Sequence, residues 1–427
     1  AGFYILTRSR LYETLIVGDT DITANVAAGY AGIGNQYAMG AAGASISTGD
    51  LKFNVTSVDG GAILGTHSVV NITTKNVDAT LTANYGGGNS SGGVAQYGLL
   101  TGSTVSSGET LDTGEYSTIT TMNLKLNQTT TGGSTTPILN NGIRAIQGAT
   151  SNATLPNGGR GTAGQVIVNG ILDMTLTGNR SVGIYVSGNA TNHGVATDRA
   201  PVFNALTPKV ILNNDAKIII NKGTGFSFTT WDSHGIKLGK VRYAGEGPGI
   251  LESHGNLVID TTNALQGGGI KMMRNSILDA SDSNASTTIK TNGYALEIGG
   301  HDDAARNGFV LTYEQAASNG ATASFNNAIF TTNGTSADPL ITATGARKDL
   351  MFVDQGQVAV KLNFTGANTD LTANANGYIL NVSGNYTAPN YAYYSNTYDT
   401  LGNPVQGQNL FEGSSVTFNA TDAGSMT

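Results

Sequence analysis

Cysteine is absent from the 427 residues, tryptophan occurs once and proline 8 times. Without cysteine no disulfide framework can staple the chain. A thiol-free chain suits any compartment, but large exported bacterial proteins benefit most, because disulfides obstruct export in an unfolded form; an exported protein is the expectation. Charged residues make up 12% of the chain, against a usual ~25%. That scarcity, beside 39% hydrophobic residues, excludes a disordered chain, which needs the opposite balance. It also excludes a coiled coil or helical bundle, which would be rich in Glu, Lys, Arg and Leu. Few prolines and no period-three glycine exclude collagen. No apolar run reaches the ~18 residues that a membrane-spanning helix needs. The 22 basic residues form no block and are outnumbered by 29 acidic ones, for a net charge of −7, so nucleic acid is not an expected partner. Arg8, Arg10 and Glu13 interrupt the first twenty residues, which therefore carry no signal-peptide core. Ala1 and Thr427 do not read as natural ends, and a segment of a longer protein is expected.

Thr, Ser and Asn take the place of the missing charge. Glycine is abundant, with 59 residues, or about 14% against the usual ~7%. Apolar and polar residues alternate strictly in many short stretches. Examples are Leu51-Lys52-Phe53-Asn54-Val55, Val77-Asp78-Ala79-Thr80-Leu81, Met122-Asn123-Leu124-Lys125-Leu126 and Val358-Ala359-Val360-Lys361-Leu362-Asn363-Phe364. Between residues 166 and 176, Val166, Val168, Leu172, Met174 and Leu176 share one face, and Ala216-Lys217-Ile218-Ile219-Ile220 follows the same rhythm. Period two means half-buried strands. No stretch shows a helical period with caps, so helix should be scarce.

A second element recurs: glycine, then apolar residues on either side of a variable one. It reads Gly142-Ile143-Arg144-Ala145-Ile146, Gly183-Ile184-Tyr185-Val186, Gly235-Ile236-Lys237-Leu238, Gly269-Ile270-Lys271-Met272, Gly293-Tyr294-Ala295-Leu296 and Gly377-Tyr378-Ile379-Leu380. Asn precedes it at Asn141, Asn292 and Asn376, and Asn-Gly favours positive φ and a tight bend. The spacing is irregular, which disfavours propellers and leucine-rich repeats. A parallel β-helix tolerates it, because insertions at the turns leave the stacked core intact. Rungs of ~20–25 residues, about 17 of them, would give a shaft on the order of 80 Å. The expected fold is all-β, a single β-helical domain over 1–427 with a possible N-terminal cap at 1–50. Loop excursions are expected near 86–107, 189–208 and 387–408, where alternation lapses.

The runs SVGIYVSGN (181–189), GNLVIDTTN (255–263), NGYALEIGG (292–300) and NANGYILNVSGN (374–385) resemble rungs of autotransporter passenger domains, the type V secreted proteins of Gram-negative bacteria. The resemblance covers most of the chain from about residue 50. It implies a right-handed parallel β-helix, carried across the outer membrane by a C-terminal barrel that these residues do not include. Many members of that family are adhesins or self-associating biofilm proteins, and some carry a serine protease domain.

A protease passenger would show a Gly-Asp-Ser-Gly nucleophile segment. Gly413-Ser414-Ser415 and Ser106-Ser107-Gly108 lack that pattern, so no enzyme is expected. His67, His193, His234, His254 and His301 have no metal-ligand spacing and are expected at turns or in solvent. Asp19-Thr20-Asp21 is too sparse for a calcium loop, and Gly245-Glu246-Gly247-Pro248-Gly249 lacks the flanking elements of a phosphate cradle. No metal or cofactor is expected. Glu297, Asp302, Asp303 and Arg306, with His301, form an acidic cluster. It could serve acid–base chemistry on a polysaccharide, as in β-helical lyases, hydrolases or tailspikes, but its Gly-Gly-His-Asp-Asp order reads first as a solvated turn.

Aromatic residues gather late in the chain: Tyr378, Tyr386, Tyr391, Tyr393, Tyr394 and Tyr398. Of these, Tyr391, Tyr393, Tyr394 and Tyr398, together with the lone Trp231, are the candidate ligand contacts, since exposed aromatic rings suit sugars and proteins; the same rings also make good core. The expected function is adhesion at the bacterial cell surface. The partner would be a host-cell glycan or protein receptor, or another copy of the chain, as in biofilm. The alternative is a β-helical polysaccharide-degrading enzyme.

Overall fold

The computed structural model describes residues 13–26, 33–34, 44–57, 60–65, 70–84, 95–102, 116–131, 139–147, 163–189, 207–224, 233–239, 246–272, 276–298, 321–335, 349–354, 360–375, 377–383, 397–398, 404–405, 416–420 and 425–426. Among them there is no helix. The strands form a 20-stranded and an 11-stranded sheet, with one separate pair, Thr397–Tyr398 against Pro404–Val405. Pairing within the two large sheets is parallel, apart from Glu246–Gly247, which lies antiparallel to the end of Ser181–Asn189.

Three ladders account for this pairing, and the chain visits them in a fixed order. The first runs through Ala44–Thr48, the start of Val70–Asn84, the start of Tyr116–Thr131, Ala163–Val168, Lys209–Leu212, Ile250–Ser253, Ile277–Ala280, Thr322–Asn326 and Val360–Thr365. The second runs through Thr20–Val26, Leu51–Ser57, the later parts of the two long strands, Leu172–Thr177, Ala216–Asn221, Leu257–Asn263, Thr287–Thr291, Ala328–Thr332 and Asp370–Thr372. The third runs through Gly60–Gly65, Ala95–Thr101, Leu139–Ile146, Ser181–Asn189, Ser233–Leu238, Gly267–Met272, Leu296–Ile298, Met351–Asp354 and Leu380–Ser383. Passes are longer than the 20–25 residues read from sequence. Register partners on neighbouring passes are 26 residues apart at Ile270 and Leu296 but 52 apart at Val182 and His234. Extra residues fall between the ladders, where they leave the pairing register untouched.

Alternation places alternate columns of each ladder inside. Ile72, Ile119, Val166, Val210, Leu251 and Leu278 stack along the first ladder, and Ala79, Leu126, Met174, Ile218, Ile259 and Ile289 along the second. Leu64, Leu99, Ile143, Ile184, Ile236 and Ile270 stack along the third. All are buried in one aliphatic core, each large side chain contributing about 1.5–3 kcal/mol by leaving water. Towards the C-terminal end Phe325, Phe330 and Phe364 pack ring on ring.

The recurrent glycines form a further inward column, for a reason other than the bend expected. Gly183 has no positive φ. What excludes a side chain is room: a Cβ would lie 2.5 Å from Gly235 O and 2.5 Å from Ile218 Cγ2. Gly98, Gly142, Gly235 and Gly269 face core side chains in the same way. Gly293 and Gly377 fall out of this column, because Leu296 pairs with Ile270 and Leu380 with Met351. That places Ala295 and Ile379, like Ile63 and Leu350, where five other passes have glycine.

Polar spines hold the turns between first and second ladders. Asp50 N donates to Asp19 Oδ1 (2.9 Å), Asn76 Nδ2 to Asp50 Oδ1 (2.8 Å), Asn123 Nδ2 to Asn76 Oδ1 (2.8 Å) and Ile171 N to Asn123 Oδ1 (2.7 Å). Asp19 is thus a turn acceptor. Further along, Asn256 donates to Asp215 and accepts from Ser286.

Candidate functional site

Two outward faces concentrate chemistry. On the second ladder, register brings Asp21, Lys52, Asp78, Lys125, Asp173 and Lys217 into one exposed column, one residue per pass. Charge alternates at every step. Lys52 Nζ lies 3.9 Å from Asp21 and Lys125 Nζ 3.5 Å from Asp78. Two residues along, Thr23, Asn54, Thr80, Asn127 and Thr175 form a second column, and Asn25, Thr56, Thr82, Thr129, Thr177 and Asn221 a third. Opposite charges at the ~4.8 Å interstrand spacing attract where like charges would repel. Over these passes the face is polar and neutral in sum, apart from Ile219, which follows Thr175 in the second column.

The outer side of the third ladder is different. Residues between the inward ones point away from the core, yet Tyr185, Lys271, Glu297 and Phe352 are buried. Glu297 and Lys271 are register partners, each 2% exposed. Lys271 Nζ lies 3.0 Å from Glu297 Oε1, and His234 Nε2 lies 3.8 Å from Oε2. The His234 imidazole reaches that carboxylate across Gly268, where a Cβ would meet Cδ2 at 2.8 Å. Earlier on the same side, the Arg144 guanidinium lies 4.4 Å from the Tyr185 ring centre and 5.8 Å from that of Tyr97. Lys237 Nζ approaches the Tyr185 ring at 5.2 Å. Near the first ladder, the Tyr116 hydroxyl donates to Thr207 O (2.9 Å), and burial, with Glu252 nearby, raises its pKa above the usual 10.0.

These positions revise the sequence reading. His234 is buried inside a strand and not at a turn; His254 is the exposed turn histidine, 3.1 Å from Asp282. Glu297 does not belong to a solvated turn: it is a buried, ion-paired strand residue, which leaves it no freedom to act as a surface acid or base. Asp302, Asp303 and Arg306 lie outside the described residues, as do Tyr391, Tyr393, Tyr394 and Trp231. Tyr398 lies in the short separate pair, away from the ladders in register. Sequence reading missed Arg144, Tyr97 and the Asp/Lys column. The signal for the column was an outward charge in each alternating stretch, visible at Lys52, Asp78, Lys125 and Lys217.

Among the described residues no helix is long and apolar enough to cross a membrane, and no group of three or more His, Asp or Glu side chains could hold a metal ion. No protein-family model matches this chain, and no curated protein or solved structure does so either.

Proposed function

We propose that the chain winds as a right-handed parallel β-helix and acts as an autotransporter-type adhesin on the bacterial surface, holding cells together by pairing with copies of itself. The fixed visiting order of three parallel ladders supports the winding. The column Asp21, Lys52, Asp78, Lys125, Asp173, Lys217 carries the functional reading. It begins with an acid and ends with a base, so it is complementary to itself when reversed. A two-fold axis crossing the shaft between the passes of Asp78 and Lys125 sets each of these against the other residue of the second copy. The same operation faces Lys52 with Asp173 and Asp21 with Lys217, and brings Thr80 to Asn127 and Thr82 to Thr129. Such an interface is isologous and closes on itself. Each exposed ion pair contributes little, about 0–1 kcal/mol, so adhesion arises from repetition along the face and from many molecules per cell.

The test is a charge exchange. Cells displaying Lys125→Glu should stop clumping, and so should cells displaying Asp78→Lys, because each variant opposes like charges at the axis. Mixing the two populations should restore clumping. Clumping by either variant alone at the wild-type level, or no rescue in the mixture, refutes the proposal.

A further inference from the structure

We infer that the outer side of the third ladder carries a binding site for a carboxylated sugar, built by Arg144, Asn141 and Tyr97. It stands on a different face from the pairing column and does not depend on self-association.

Alternation fixes the directions. Asn140 points inward, where its amide bonds Gln128 and Ser181, so Asn141 points outward. Its register partner one pass earlier is Tyr97, and Arg144 pairs with Tyr185 one pass later. The guanidinium lies between those two rings, at 5.8 Å and 4.4 Å from their centres, and so rests over the pass that carries Asn141. Arg144 is half-buried and makes no ion pair among the described residues. Its planar face is spent on the aromatic rings, which leaves its N–H edge as a bidentate donor for a carboxylate.

Asn141 supplies the independent observation. It is 1% exposed, and neither its amide nitrogen nor its amide oxygen has a hydrogen-bond partner among the described residues. A buried polar side chain left wholly unsatisfied bears the full desolvation cost of its amide, a penalty that sites of recognition carry and structural positions avoid. The amide needs a partner that both accepts and donates. A sulfate ion only accepts at neutral pH and would leave the carbonyl orphaned. A sugar hydroxyl does both, and a sugar that also bears a carboxylate satisfies Arg144. Tyr97, partly exposed, offers aromatic surface to the C–H side of the same sugar. Lys237, on the Tyr185 ring, adds positive potential. A ligand carboxylate that draws the guanidinium outward frees space along the strand that Arg144 and Asn141 share.

The experiment is calorimetric titration of the whole chain with tri-galacturonate, its neutral analogue tri-galactose, and inorganic sulfate. Tri-galacturonate should bind, with at least tenfold preference over both controls. Arg144→Gln should weaken binding at least tenfold. Asn141→Leu should weaken it similarly while leaving the melting temperature unchanged or higher, because it removes an unsatisfied amide without changing shape. Equal binding of sulfate, wild-type binding by Asn141→Leu, or a lowered melting temperature in that variant without loss of binding would overturn the assignment. So would a wild-type chain that takes up none of the three.

Discussion

Gly183 and Ile218 compete for one volume: a Cβ on the glycine would stand 2.5 Å from the isoleucine Cγ2. The two residues belong to different ladders, so this contact sets how closely the third ladder approaches the second across the core. Gly183→Ala should therefore destabilise the fold by about 1–3 kcal/mol, the usual cost of overpacking. Ile218→Ala, which removes the Cγ2 methyl, should cost less in the Gly183→Ala chain than in the wild type if Ile218 is the obstacle. Denaturant midpoints of the four proteins decide it, and an unshifted midpoint for Gly183→Ala contradicts the steric account.

Lys271 and Glu297 should behave as a buried pair. Lys271→Met removes the nearest cation from the buried carboxylate, leaving the His234 imidazole 3.8 Å away, and should cost about 3–5 kcal/mol. The double variant Lys271→Met with Glu297→Leu, which replaces both charges by apolar groups of similar size, should recover most of that loss. Equal stability of the single and double variants would show that the carboxylate is not isolated by the first change.

The turn spine makes a smaller prediction. Asn123 joins two contacts, donating to Asn76 and accepting from Ile171 N. Asn123→Ala should cost about 1–2 kcal/mol, and hydrogen exchange should quicken first at Ile171. Unchanged protection there would mean that backbone pairing alone holds the turn.

Tyr116 ties stability to alkaline pH. Its folded pKa is raised above 10.0, mainly by burial and secondarily by Glu252. The folded chain thus keeps its phenolic proton where the unfolded chain releases it. This contribution is complete below the unfolded value and is lost as pH rises through the folded one. Between about pH 9 and about pH 11 the wild type should lose more stability than Tyr116→Phe, as read from urea midpoints. Parallel losses in both would reject the linkage.

Much of the interior was legible, because period two is a local signal. Val166, Val168, Leu172, Met174 and Leu176 share a face by sequence and are all core. The glycine motif was legible as a repeat but misread in cause. Asn-Gly suggested a backbone bend, whereas the demand comes from Ile218, thirty-odd residues away and invisible to local reading. The charge column was hidden because its members come from six passes of unequal length, and only register aligns them. Glu297 was misjudged because the glycines and aspartates after it suggest water. Nothing in the sequence told that the outer side of the third ladder is buried.

The alternation of Asp and Lys along the second ladder imposes a parity on how such a chain could have grown or shrunk. Excising the single pass that bears Asp78 would bring Lys52 beside Lys125 and shift the phase of the alternation for everything downstream. Excising two adjacent passes would leave it whole. The heritable module of this face is therefore a doublet, and lengthening by duplication preserves its polarity only in even steps.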